Sequence, residues 1–164
     1  MVIIGGGEPT LYRNGKYHFQ ELVDEVIDQN LKITLALTTN GSIKPPGDWP
    51  NKFDWIRVSL DAATERTYKN FRGKSSFSKV VENFLSYLEY NAPYVGISFL
   101  FAKSNIHEYA KVSNFIFNLV KKKSHTTYTK SIFSIDPSGG AHTTTINRLP
   151  KPLRNSRFKL LSKM

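Results

Sequence analysis

Cysteine is absent from all 164 residues. That excludes disulfides, thiolate metal sites and a cysteine nucleophile. No apolar run approaches the roughly 20 residues that cross a bilayer. The N-terminus has neither a basic leader nor a long apolar stretch, so no signal peptide is expected. A soluble, cytoplasmic protein with no membrane contact is the default expectation. Acidic residues are scarce at one end. Up to residue 120 there are 13 Lys and Arg against 12 acids, but from 121 onward ten face one, Asp136. Nearly all of the net charge of +10 therefore lies in the last quarter. Histidines number four, His18, His107, His125 and His142, and are scattered without ligand-like spacing. They read as surface or structural groups.

What is present suits one folded domain. Apolar residues make up 40% and aromatics 13% of the chain, which argues against disorder. The first 120 residues alternate strand and helix signals. Val2–Ile4 is a short apolar strand running into Gly5, Gly6, Gly7, Glu8 and Pro9. A helix follows from about His18 to Asn30, with Phe19, Leu22, Val23, Val26 and Ile27 on one face. Lys32–Thr38 is a second strand ending in a Thr39-Asn40-Gly41 turn. Prolines 45, 46 and 50 mark Ser42–Asn51 as an irregular loop. Asp54–Leu60 is the third strand and Ala63–Phe71 a short helix broken near Gly73. A stronger amphipathic helix runs from Phe77 to about Tyr90. Tyr94–Phe101 is the fourth strand, and Ile106–Val120 a long helix with Tyr109, Val112, Ile116 and Leu119 on its apolar face. Ser131–Ile135 suits a fifth strand.

This order predicts an α/β fold with parallel strands and right-handed crossovers. A doubly wound sheet and a partial (β/α) barrel both fit, and in either the ligand lies at the C-terminal ends of the strands. Those ends are Gly5–Pro9, Thr38–Ser42, Ser59–Asp61 and Ala102–Asn105, all small or polar. Glycines allow positive φ and close backbone approach. GGGEP lacks the spacing of a dinucleotide or P-loop phosphate cradle. A glutamate beside bare backbone suits a cationic group, such as an ammonium or sulfonium. A tight turn carrying a solvated glutamate fits these five residues as well.

Taken together, four motifs carry a resemblance. GGGEPTL follows the first strand and TTNG ends the next. WIRVSLDAATERTYKNFRG spans a strand and its helix, and VGISFLFAKSN leads into HEYAKV. In this order they resemble the core domain of the radical S-adenosylmethionine (SAM) superfamily over about residues 1–120. The resemblance implies a domain of residues 1–136 followed by a basic, irregular or disordered tail, 137–164. It implies a barrel truncated before its first strand, from a shortened, split or frame-shifted gene. It also implies a parent enzyme that cleaves SAM reductively to a 5′-deoxyadenosyl radical with a [4Fe–4S] cluster. The CxxxCxxC loop that holds that cluster is missing, so this chain alone should be inactive.

Carried over residue by residue, the resemblance gives a cofactor site. Glu8 would receive the methionine ammonium, and Gly6 and Gly7 would let the backbone approach it. Ser59 and Asp61 would face the ribose or methionine part, and Arg72 would pair with the cofactor carboxylate. Gly96 and Ile97 would lie near the adenine, while Asn40 and Asn105 could bond cofactor or substrate. A zwitterionic methionine end needs both an acid and a guanidinium fork. Plainer roles stay open: Arg72 could pair with Glu65 or another acid, Ser59 could be a satisfied strand-end hydroxyl, and Asp61 could cap the helix after it. A second reading is a non-catalytic α/β domain. Its basic end, with Lys151, Arg154, Arg157, Lys159 and Lys163, would bind nucleic acid or a protein partner. A solvated tail is the simpler reading of that segment.

Overall fold

The computed structural model describes residues 1–123, 132–135 and 142–145. Four strands form a parallel sheet in the order β1 (Val2–Ile4), β4 (Leu35–Thr39), β5 (Trp55–Ser59), β6 (Tyr94–Ser98). Between β1 and β4 lies a short antiparallel hairpin of β2 (Arg13–Asn14) and β3 (Tyr17–His18). Helix α1 (Phe19–Asp28) then leads back to the sheet. α2 (Glu65–Arg72) and α3 (Phe77–Tyr87) follow β5. β7 (Leu100–Phe101) continues from β6, and α4 (Tyr109–Lys123) follows it. β7 pairs in parallel with β8 (Ile132–Ile135), which pairs antiparallel with β9 (His142–Thr145). The chain thus has the α/β order of a partial (β/α) barrel, as the sequence implied. Of the stretch expected to be irregular, 142–145 is a strand; the rest lies outside the described residues.

Strand pleating separates two faces. Leu35, Leu37, Ile56, Val58, Val95 and Ile97 point to the helix side and are at most 2% exposed. There they meet Phe19, Val23, Val80, Phe84, Tyr87, Val112 and Ile116. The opposite face carries Ala36 and Thr38, then Trp55, Arg57 and Ser59, then Tyr94, Gly96 and Ser98. In register, Thr38 stands beside Arg57, and Arg57 beside Gly96. Helices cover one face, and a mix of polar, aromatic and small residues lines the other.

Local chemistry sets the element ends. The β4 ladder starts at Leu35, later than the propensity of Lys32–Thr38 suggested. Asp54 fixes that point: its Oδ2 accepts from Leu35 N at 2.7 Å, and its own N–H donates to Leu35 O at 2.8 Å. α2 begins two residues later than expected because Thr64, not Asp61, is its cap. Thr64 Oγ1 accepts from Thr67 N at 3.3 Å. Gly73 ends the helix in the left-handed region. The Pro-rich loop expected to be irregular contains a 3-10 turn, Trp49–Lys52. Gln20 Oε1 accepts from Asp48 N and Trp49 N, which seats the Trp49 indole between Phe19, Phe53 and Tyr87. Ile106–Glu108 is a 3-10 turn, so α4 starts at Tyr109. Tyr109, placed on the apolar face by periodicity, is 40% exposed, although its ring meets Phe101 edge-on.

One glycine is fixed by packing. Gly41 has φ +70, and a Cβ there would lie 2.7 Å from Val58 Cγ1 and 3.0 Å from Val80 Cγ1. Both valines are fully buried. Gly41→Ala is expected to cost roughly 1–3 kcal/mol through strain and overpacking. A lowered urea midpoint at unchanged slope would show it; an unchanged midpoint would contradict it.

Candidate functional site

Glu8 stands at the end of the loop that leaves β1, and the turn after β4 grips its carboxylate. Oε1 accepts from the Thr39 hydroxyl at 2.6 Å, the Thr10 hydroxyl at 2.5 Å and Thr10 N at 3.2 Å. Oε2 accepts from Asn40 N at 2.6 Å. Each carboxylate oxygen has about two lone-pair positions. Oε1 is saturated, whereas Oε2 keeps one position among the described partners. Thr39 also accepts from Gly41 N at 3.1 Å, which fixes the hydroxyl that donates to Glu8. Gly6 and Gly7 precede the glutamate at φ +90 and +59, with no atom within 4 Å of where a Cβ would sit. Backbone conformation, not crowding, calls for glycine here. Below this carboxylate the buried Tyr87 hydroxyl has no hydrogen bond of good geometry. Burial, and secondarily the Glu8 charge, push its phenol well above the usual range.

Asp61 lies two residues beyond β5, at the same end of the parallel sheet as Glu8. It is a non-glycine residue at φ +58 and is only 4% exposed. Oδ1 accepts from Leu100 N at 2.6 Å. Oδ2 pairs with the Arg72 guanidinium, whose side chain is one-third exposed. Burial raises the Asp61 carboxyl above its ordinary value, against the opposing pull of Arg72 and the Leu100 amide. The Leu100 bond also explains why one expected strand, Tyr94–Phe101, is two. Its N–H leaves the ladder for Asp61, and the chain breaks at Phe99.

Behind Asp61 lies a closed polar network. Asn105, fully buried, donates to Asp61 O and Leu100 O at 2.8 Å each and accepts from Ala102 N at 2.6 Å. Both amide N–H bonds are thus used internally, so the expected contact from Asn105 to a ligand is corrected to a structural role. Glu108, 2% exposed, accepts from Ala63 N at 2.6 Å and the Thr64 hydroxyl at 2.7 Å.

The remaining sequence-derived positions fall as follows. Asn40 offers its amide nitrogen, because its Oδ1 accepts from Ser42 N at 2.8 Å. Ser59 ends β5 on the helix-free face and accepts from the Ser98 hydroxyl at 3.3 Å. Gly96 is on that face. Ile97 points its side chain into the core, so only its backbone reaches the helix-free face. Sequence reading missed two residues. Thr39 anchors Glu8, and its place in TTNG was the available signal. Arg57 stands on the helix-free face, and the alternation of WIRVS could have revealed it.

The fold and these motifs are those of a known family: the radical SAM superfamily profile matches residues 1–116. The chain belongs to the radical SAM superfamily. It is 27% identical over 117 residues to a probable GTP 3′,8-cyclase of Sulfurisphaera tokodaii. That alignment covers 70% of this chain and 36% of the relative, so the chain spans about a third of that protein's length. Two cofactors are implied by the family, and the residues present fit them unequally. Glu8, with its free lone-pair position beside a positive-φ glycine loop, fits the ammonium end of SAM. An iron–sulfur cluster does not fit, because the sequence holds no thiolate. Among the described residues, no group of three His, Asp or Glu side chains could hold a metal ion. No helix among them is long and apolar enough to cross a membrane.

Proposed function

We propose that this chain carries the SAM-binding wall of a radical SAM domain, at the C-terminal ends of β1, β4, β5 and β6. Glu8 takes the methionine ammonium on Oε2. Gly6 and Gly7 line the approach, and the Asn40 side-chain amide donates beside them. The Ser59 hydroxyl meets the ribose, and Asp61 acts there through the loop it holds and through whatever edge it leaves open. Arg72, held by Asp61, turns its remaining N–H groups to the cofactor carboxylate. Gly96 and the Ile97 backbone border the adenine. Bound SAM would supply the sulfonium that the family's chemistry cleaves. The cluster that drives cleavage would need ligands from outside this sequence.

One observation carries this reading: a carboxylate is fixed by four donors from three residues at a strand end, yet one oxygen keeps an open lone-pair position among the described partners. A protein that needed Glu8 only for its fold would gain nothing from that opening. The test is titration of the full chain with SAM and with 5′-deoxyadenosine, followed by calorimetry or ligand-observed NMR. Saturable binding of both is expected, SAM the tighter. Absence of binding at millimolar ligand would leave the fold assignment alone standing.

A further inference from the structure

Among the described residues, Arg57 is a cation without an acid. It sits at the middle of β5 on the face that the helices leave uncovered, and it is half-buried. Its neighbours in register are Thr38 on β4 and Gly96 on β6. One guanidinium nitrogen donates to Thr38 Oγ1 at 3.1 Å. The guanidinium carbon lies 5.6 Å from the Trp55 ring centroid, over its face. The Nε–H is enclosed and has no acceptor. Among the described residues the ion pairs are those of Lys52 and Arg72; none reaches Arg57. Burial pulls its pKa down, and no carboxylate opposes that.

This is an expensive arrangement. A guanidinium has five N–H donors and is always charged near neutral pH. Leaving such a charge partly desolvated and unpaired costs stability, and natural proteins accept that mainly where a ligand completes the set. The surroundings suit an acceptor. The ring beneath Arg57 holds the guanidinium plane, glycine replaces a side chain on one flank, and the Ser59–Ser98 hydroxyl pair stands one pleat further toward the strand ends. Turning the fork toward a ligand breaks one hydrogen bond, to Thr38, and none at Nε.

We propose that Arg57 forms an oxyanion subsite on the helix-free face, taking a carboxylate or phosphate of the bound ligand. It rests on the reading of that face as the ligand face, but not on SAM being the ligand. With the SAM carboxylate placed on Arg72, the group taken here is a carboxylate or phosphate on a second substrate.

The experiment follows the Arg57 Nε–H resonance in the full chain, assigned by its loss in Arg57→Lys. The chain is titrated separately with inorganic phosphate, acetate, SAM and 5′-deoxyadenosine, which has no anionic group. A saturable shift with phosphate or acetate, and none with 5′-deoxyadenosine, is expected. Phosphate as the strongest anion points to a phosphorylated substrate, acetate to a carboxylate; a response to SAM alone would move the cofactor carboxylate from Arg72 to Arg57 and overturn the second-substrate subsite. Arg57→Gln should weaken anion binding by about tenfold or more, as for a lost charge-assisted hydrogen bond, and leave 5′-deoxyadenosine affinity unchanged. A resonance that no anion moves, or that drifts without saturating, overturns the proposal. Because the titration is read on the wild-type chain, a poorly folded variant does not rescue it. Loss of nucleoside binding with a retained phosphate response would sink the SAM-wall reading and support this one.

Discussion

Asp61→Ala is expected to lower the melting temperature by about 10 °C, the largest stability effect of any single substitution at the strand ends. Three losses coincide. Leu100 N loses its acceptor inside the protein, which costs about 1–3 kcal/mol. Arg72 loses its partner, a smaller loss because its side chain is one-third exposed. Alanine must also hold φ +58, where Asp and Asn are tolerated far better. A total near 3 kcal/mol corresponds to roughly 10 °C for a domain of this size. Asp61→Asn retains the acceptor for Leu100 and the preferred backbone, so it should cost less than half as much. Comparable losses for the two variants would show that neither the Leu100 bond nor the backbone conformation matters.

The same carboxyl sets a pH dependence. Its folded-state pKa lies above its unfolded one, because burial outweighs Arg72 and the Leu100 amide. The folded state therefore binds the proton more tightly. Its contribution favours folding below the ordinary value of 3.8 and is lost as pH rises through the raised folded value. The wild-type melting temperature should fall across that window relative to Asp61→Asn, which cannot titrate there. Parallel curves for the two proteins would refute the assignment.

Glu8→Gln is expected to weaken SAM binding about 10- to 100-fold, the value of a hydrogen bond to a charged group. Glutamine keeps the size but not the charge. Its amide must also point an N–H either at Asn40 N or at the threonine hydroxyls, where the carboxylate accepts from both. Affinity for 5′-deoxyadenosine, which has no ammonium, should change little. That split separates a ligand role from a merely structural one. Equal weakening of both ligands would mean that Glu8 acts by holding the Asn40 turn. Thr39→Val, which removes one donor to Glu8, should produce a smaller loss in the same direction.

The site was partly legible because its chemistry sits in short local motifs. Glu8 follows three glycines, and Asp61 stands two residues after the serine that ends a strand; both features survive in one dimension. Partner choice was not legible. Arg72 had Glu65 and other acids within reach along the helix, yet it pairs with Asp61, eleven residues back. A helix returning over its own strand end makes that contact, and spacing alone does not show the angle of return. Trp49 was hidden by the prolines around it, since the acceptor that seats it belongs to a distant helix residue, Gln20. The Tyr94–Phe101 run was read as one strand because apolar propensity does not register an amide diverted to a carboxylate.

Sequence by itself determined the parallel α/β order, the helix-side core and the strand-end loops. Hydrophobic periodicity and glycine placement act over a few residues, and each element obeys them independently. Tertiary structure alone decided which polar groups satisfy one another. It closed Asp61, Arg72, Leu100 and Asn105 into a part-buried network, left one lone-pair position of Glu8 open, and left Arg57 with no acid among the described residues. Burial and distance set the energy of a charge, and both exist only once the strands lie side by side.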